Sequence, residues 1–159
     1  MERQKASAPG PSLRARALRW LSQREHSRHE LRDKLLRAGG EEADASVVEA
    51  LLDQLAAQGH LSDDRFVESR VHARRARFGN RRIELELRRH GVTPSADLQA
   101  QLRASELTRA REVWRKKFGS RAATNVAERA RQARFLIGRG FSTDVVRKVV
   151  ADSPEDDSA

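Results

Sequence analysis

Three glycines at matching positions constrain the fold of this chain more than any other feature of its sequence. Gly39, Gly91 and Gly140 each end a segment with leucine or isoleucine at helical spacing, and they lie 52 and 49 residues apart. After each glycine come a polar helix cap and then a second apolar helical segment. A repeat of this length with three helices is typical of a tandem array, in which each unit packs on its own helices and on its neighbour.

Signals for helix starts lie between these glycines. Ser27 and Glu30 have the spacing of a capping box. Thr93-Pro94 predicts a further start, because proline at the first helical position loses only an amide that has no partner. Asp44 starts a helix whose buried face is predicted to carry five apolar residues, Val47, Val48, Leu51, Leu52 and Leu55. No run of alternating β-branched residues indicates a strand, so the sequence predicts an all-α fold.

The chain divides into two tails and three predicted repeats. Residues 1–11 are rich in Pro, Gly, Ala and Ser and are predicted to be disordered, and residues 152–159 form a predicted acidic tail. The helical repeats are predicted at residues 12–58, 59–103 and 104–151, with three helices in each.

The absence of cysteine excludes disulfides, thiolate zinc sites and thiol nucleophiles. It also fits a reducing compartment, so we expect a cytoplasmic protein. The N-terminal residues lack an apolar signal segment, and no stretch approaches the roughly 18 apolar residues that a membrane span needs. We therefore expect no association with a membrane.

Arginine dominates the charge of the chain. The net charge is +9, and 27 of the 32 basic residues are arginine. The planar guanidinium group binds phosphates and carboxylates through two parallel hydrogen bonds, so the excess indicates a polyanionic or acidic partner. A genome rich in G and C also favours arginine codons, and this alternative stays open for part of the excess.

The charges are separated into blocks along the sequence. The net charge is −7 over residues 41–64, +6 over residues 65–90 and +7 over residues 109–134. Such blocks create an extended potential that suits a long charged partner. Around Phe78-Gly79-Asn80 the candidate binding residues are Arg74, Arg75, Arg77, Arg81 and Arg82, and Arg131 is a candidate in the third block. The alternative for this run is a solvated helix face.

No motif in the sequence predicts catalysis, a cofactor or a metal ion. Gly138-Arg139-Gly140 follows a helical pattern, whereas a phosphate-binding glycine loop connects a strand to a helix. His26 and His29 coincide with the capping box and are interpreted as a solvated helix boundary instead of metal ligands. Asp63 and Asp64 lie where caps belong at a helix start. We expect no enzyme activity.

Four segments of the chain carry a family resemblance: ALRWLSQREHSRHELRDKLLRAG, LLDQLAAQGHLSDDRFVESRV, FGNRRIELELRRHGV and ARFLIGRGFSTDVVRKVV. In their order, spacing and repeat register they resemble the RecX family of bacterial regulators of the RecA recombinase. The resemblance covers about residues 15–150. The chain departs from the family at His60 and Arg70, where an aromatic residue is common.

The resemblance implies a fold and a function. The fold would be an elongated, curved array of three tandem three-helix repeats, which settles in the groove of a RecA filament on DNA. There it would inhibit ATP hydrolysis, filament extension and strand exchange without catalysing a reaction, and so modulate recombination, DNA repair and the SOS response. Four arginines match the family motifs and are expected to contact the filament or its DNA: Arg81, Arg82, Arg134 and Arg139.

A second interpretation remains open at this point. Arginine-rich helices could bind single- or double-stranded DNA by neutralising phosphates, without a specific recombinase partner. In either case we expect a monomer that needs no cofactor.

Overall fold

The computed structural model describes residues 10–151, which fold into α-helices joined by turns and one 3-10 helix, with no strand in this range. The predicted all-α fold is therefore confirmed. The predicted tails fall outside the described residues, apart from Gly10 and Pro11. The helices are α1 Leu13–Gln23, α2 Arg28–Ala38, the 3-10 helix Gly40–Glu42, α3 Ala45–Ala57, α4 Asp63–Arg74, α5 Asn80–Arg89, α6 Ala96–Phe118, α7 Val126–Gly138 and α8 Thr143–Ala151.

The chain divides between Phe66 and Val67 into two compact units. In the first unit α1, α2 and α3 form one three-helix group. Their apolar stripes bury a single cluster made of Ala17, Leu31, Leu35, Val48, Leu51, Leu52, Leu55 and Leu61.

The second unit contains α4 from Val67 onward and all of α5, α6, α7 and α8. α6, α7 and α8 pack against one another, and α5 packs against α6. The core of this group consists of Ala110, Val113, Trp114, Leu136, Phe141, Val146 and Val149. α6 runs without a break for 23 residues, through the predicted boundary between residues 103 and 104. The exact repeat boundaries stay predictions, whereas the tandem three-helix architecture is confirmed.

The caps follow the sequence signals closely, with one exception. The Ser27 hydroxyl accepts a hydrogen bond from the amide of Glu30 at 3.1 Å, and Asp44 caps α3. The predicted start at Pro94 is wrong by two residues. α6 begins after Ser95, whose hydroxyl caps the helix by accepting a hydrogen bond from the amide of Leu98 at 3.2 Å.

The repeated glycines terminate helices, but their register in the first repeat differs from the prediction. Gly91 and Gly140 have φ of 70° and 89°, in the left-handed region that favours glycine. Gly39 is helical at φ −85°, and Gly40 takes the left-handed conformation instead. Gly39 is needed for space, since a Cβ there would lie 2.3 Å from the Cβ of Ala43.

One predicted core residue lies at the surface. Val47 was expected on the buried face of α3, but its side chain is 49% exposed, while Val48, Leu51, Leu52 and Leu55 are buried. A helix of this size buries only a narrow stripe, and Val47 lies at the edge of that stripe.

Across the described residues, no helix combines the length and apolar character that crossing a membrane requires.

His26 is buried, which contradicts its interpretation as part of a solvated helix boundary. Its Nδ1 lies 3.0 Å from the carbonyl of Arg24, and its Nε2 lies 3.0 Å from the ammonium of Lys34. A carbonyl can only accept and an ammonium can only donate, so the ring is neutral with its proton on Nδ1. Burial lowers the pKa of His26, and the charges of Arg24 and Lys34 lower it further, against the hydrogen bond to Arg24 and the charge of Glu30.

Because burial lowers the pKa of His26, we predict that the protein loses stability in mild acid. The unfolded chain, with a histidine pKa of about 6.5, takes up a proton before the folded chain does. The free energy of unfolding should therefore be highest above about pH 6.5 and fall as the pH is lowered below it. Urea denaturation between about pH 7.5 and 5.5 measures this dependence.

The His26→Asn variant keeps a hydrogen-bond donor near the position of Nδ1 but has no titrating ring. Its free energy of unfolding should therefore fall less steeply as the pH is lowered. His29→Asn is the matched control, because the His29 side chain is 53% exposed. An equal decline in both variants would contradict the assignment to His26.

Gly79 lies in a backbone contact that leaves no room for a side chain. A Cβ at Gly79 would lie 2.2 Å from the amide nitrogen of Phe141 and 2.3 Å from the carbonyl carbon of Gly140. Gly138, in contrast, has no neighbouring atom within 4 Å of its Cβ position.

Gly79→Ala is therefore expected to lower the free energy of unfolding by about 3 kcal/mol or more, because backbone atoms of two segments must separate. Gly138→Ala is the matched control, and it should leave stability unchanged or raise it by up to about 1 kcal/mol. Equal unfolding midpoints in urea for the two variants would show that the contact is not required.

Candidate functional site

The candidate site lies in the second compact unit, where the chain between α4 and α5 meets the turn between α7 and α8. The amide of Gly79 donates to the carbonyl of Arg139 at 2.9 Å, and the amide of Arg81 donates to the carbonyl of Gly140 at 3.0 Å. These two hydrogen bonds place the start of α5 beside the Gly138-Arg139-Gly140 turn. The turn thus connects two helices, as its position after a helical pattern predicted, and it holds a neighbouring loop.

One buried carboxylate caps two helices beneath this contact. Glu106 of α6 accepts from the amide of Asn80 at 3.2 Å, and its two oxygens accept from the amide and the hydroxyl of Ser142 at 3.2 Å. Asn80 and Ser142 stand at the N-termini of α5 and α8, where free amides and the helix dipole favour negative charge. Glu106 therefore fixes both helix starts to α6.

A buried arginine holds the segment that leads into α5. The guanidinium of Arg109 donates to the carbonyls of Arg75 at 3.1 Å and Phe78 at 2.9 Å, and to the side chain of Asn80. Burial lowers the pKa of Arg109 and the charge of Arg75 lowers it further, while Glu106 raises it. Arginine titrates so far above neutral pH that this guanidinium keeps its charge.

The loop and α5 form one wall of a concave surface of about 850 Å³. Cationic side chains from α4, α5 and the loop between them surround an apolar floor, and the turn after α7 closes one side. The surface is lined by Arg74, Arg77, Phe78, Arg81, Arg82, Leu85, Glu86, Arg89, His90, Ile137, Gly138 and Gly140. We refer to these residues as the arginine site.

Arg74 is already paired within the protein. Its guanidinium contacts the carboxylate of Glu86 at 3.0 Å, and Arg70 contacts the same carboxylate at 3.1 Å. Burial would raise the pKa of Glu86, but the hydrogen bond to Arg74 and the charges of Arg74, Arg70 and His90 lower it overall. Glu86 is thus an anion at neutral pH that joins α4 to α5.

The other arginines of the site are available to a partner. Their side chains are exposed, and within residues 10–151 none of them forms an ion pair. They are Arg77, Arg81, Arg82 and Arg89.

Four of the predicted arginines lie over aromatic rings. Arg82 lies over the Phe78 ring at 4.1 Å, with Arg139 at 5.5 Å and Arg77 at 5.9 Å. Arg131 lies over Phe118 at 5.9 Å, outside the arginine site. These cation-π contacts hold the guanidinium groups in place while leaving their edges open.

The two remaining predicted residues do not line the arginine site. Arg134 is exposed on α7. Arg75 is half-buried, and its carbonyl is bound by Arg109. The structure therefore brings together Arg74, Arg77, Arg81 and Arg82, with Arg139 at their edge. Whether any of these residues binds a partner stays a prediction.

Sequence reasoning missed Leu85, Glu86, Arg89, His90 and Ile137 of the site. Arg89 and Leu85 follow Arg81 at intervals of four on α5, and this helical spacing was a usable signal. Ile137 gave no such signal, because it stands beside the fully buried Leu136 yet is itself 45% exposed.

The chemistry available here is the binding of anions. Exposed guanidinium groups donate pairs of hydrogen bonds to phosphate or carboxylate oxygens. Within residues 10–151 no three His, Cys, Asp or Glu side chains lie close enough together to hold a metal ion.

Family models match most of the chain. The first, second and third three-helix domains of RecX match residues 14–55, 62–96 and 104–150.

Relatives of known name are similar over nearly their whole length. The regulatory protein RecX of Ralstonia nicotianae is 49% identical over 150 residues, which cover 92% of each chain. That of Herminiimonas arsenicoxydans is 48% identical over 148 residues, covering 92% of this chain and 95% of the relative.

A solved structure has the same fold. The crystal structure of RecX from Lactobacillus salivarius aligns with a TM-score of 0.73 at 17% identity, covering 89% of this chain and 94% of the other. With three matching domains in order and relatives nearly half identical along the sequence, the chain belongs to the RecX family of regulatory proteins.

Proposed function

We propose that this protein binds the filament that the RecA recombinase forms on DNA and inhibits its ATP hydrolysis, its extension and strand exchange. It acts without catalysing a reaction, as a monomer, and modulates recombination, DNA repair and the SOS response. Because the recombinase works on chromosomal DNA, its place of action is the cytoplasm.

The observation that carries this proposal is the arginine site in a chain that all three RecX domains match. Arg77, Arg81, Arg82 and Arg89 have no ion pair within the described residues, so their charge is available for an acidic partner. A nucleoprotein filament offers both phosphates and carboxylates to such a surface.

The second candidate function is general DNA binding. The four arginines without an ion pair in residues 10–151 predict how steeply DNA binding depends on salt, and this dependence separates the two candidates. If each of the four neutralises one phosphate of duplex DNA, affinity falls roughly 100-fold between 50 and 200 mM salt. Binding to naked DNA through this site should therefore fade near physiological salt. Inhibition that persists at 200 mM salt favours the recombinase filament as the partner.

The proposed function predicts that the purified protein slows DNA-dependent ATP hydrolysis by its cognate recombinase at 200 mM salt. The double variant Arg81→Glu/Arg89→Glu should raise the half-inhibitory concentration about a hundredfold. Each reversal removes a charge-assisted hydrogen bond that contributes about tenfold in affinity. Steady-state ATPase titrations measure the effect.

The control variant Arg19→Glu/Arg103→Glu changes the net charge by the same amount at exposed positions outside the arginine site. It should inhibit like the wild type. Equal losses in both double variants would mean that only net charge matters, which is the outcome for a general DNA-binding protein. No inhibition by the wild type at any ratio would reject the proposed function.

A further inference from the structure

An open apolar groove of about 480 Å³ lies between α7 and α8, next to the arginine site. Its lining from α7 recurs at intervals of four, three and four residues, which places these side chains on one helix face. α8 supplies the opposite wall with Val146 and Val150. The α7 residues are Val126, Ala130, Ala133 and Ile137.

The groove exposes large aliphatic side chains to solvent. Val126 is 78% exposed and Ile137 is 45% exposed. Within the described residues only four large apolar side chains are 45% or more exposed. Three of them, Leu85, Val126 and Ile137, line the groove or the arginine site. Clustered exposure of this kind marks an interaction surface, whereas scattered apolar residues do not.

The groove and the arginine site are continuous. Ile137 lines both of them, and Gly138 and Gly140 carry the surface from the end of α7 to α5. One surface therefore offers an apolar channel at one end and, at the other, guanidinium groups without ion pairs among the described residues. Arg129 and Arg147 also line the groove, and Arg147 is paired with Asp144 at 3.7 Å.

This combination does not suit a nucleic acid along its whole length. Val126 and Ile137 can neither bind phosphates nor stack on bases. The aromatic ring of the arginine site, Phe78, is covered by the guanidinium of Arg82 at 4.1 Å. Apolar side chains together with carboxylates match both ends of the surface, and an acidic amphipathic protein segment supplies both.

The dimensions fit a helix. From Val126 to Ile137 the α7 face spans about 16 Å, which is about three turns of a helix lying alongside. A channel between two helices is the usual seat of an amphipathic helix whose apolar residues recur at intervals of three and four.

We propose that the groove and the arginine site together dock an acidic amphipathic helix of a protein partner. Its apolar face lies between α7 and α8, and its carboxylates meet Arg81, Arg82 and Arg89. This inference rests on the proposed function only for the identity of the partner. Under that function the partner is the recombinase in its filament.

The first test compares Val126→Ser/Ile137→Ser with the control Val47→Ser, which alters an exposed aliphatic side chain on α3, outside the groove. The double variant should raise the half-inhibitory concentration for the recombinase ATPase about tenfold, because it removes apolar area that the partner buries. Its affinity for naked DNA should change less than about twofold, since no charge is altered. Val47→Ser should change neither quantity.

Inhibition by the double variant at the wild-type concentration would overturn the docking surface while leaving the proposed function intact. An equal loss of naked DNA affinity would also overturn it, by making the groove part of a nucleic-acid surface. Circular dichroism and urea denaturation confirm that the variants fold.

The second test works whether or not the protein inhibits. A photo-reactive benzophenone side chain is placed at Val126, and the full chain is irradiated with purified cognate recombinase filaments on single-stranded DNA. The expected product joins position 126 to an acidic recombinase segment with apolar residues at helical spacing. Cross-links to the DNA, to a second copy of this chain or to its own residues 152–159, or no cross-link, would each overturn the proposal.

Discussion

The amides of Gly79 and Arg81 bind the carbonyls of Arg139 and Gly140, and the candidate site is built around this contact between two backbone segments. A side chain at Gly79 would overlap the Gly140 carbonyl. Gly140 itself has φ of 89°, and a Cβ there would lie 2.4 Å from the Cβ of Arg82. Two glycines thus allow a loop and a turn to meet without intervening side chains. Their meeting sets the start of α5 and the direction in which its arginines project.

Two buried charged side chains fix the backbone segments that form this contact. Glu106 binds the N-termini of α5 and α8, and Arg109 binds the carbonyls that precede α5. Isolated buried charges are costly, but here hydrogen bonds satisfy both side chains. Arginine therefore has separate roles in this protein: Arg109 supports the fold, Arg74 joins two helices through Glu86, and the exposed residues of α5 remain for a partner.

The same turn also joins two kinds of surface. Ile137 lies at the end of α7, where the arginine site passes into the apolar groove beside α8. A cationic surface alone would suit any polyanion, whereas the added aliphatic channel selects a partner with its own apolar face. Under the proposed function, such a surface would distinguish the recombinase filament from naked DNA.

The sequence by itself determined the all-α class, the tandem repeat, most helix caps and the run of arginines near Phe78. These features depend on periodicity and on hydrogen bonds within one helical turn, so neighbouring residues suffice to encode them. Only the tertiary structure decided that His26 is buried and that Ile137 is exposed. It also decided which arginines support the fold and which remain open. Those outcomes depend on contacts between segments far apart in the chain, where burial and pairing are set by packing that no local pattern specifies.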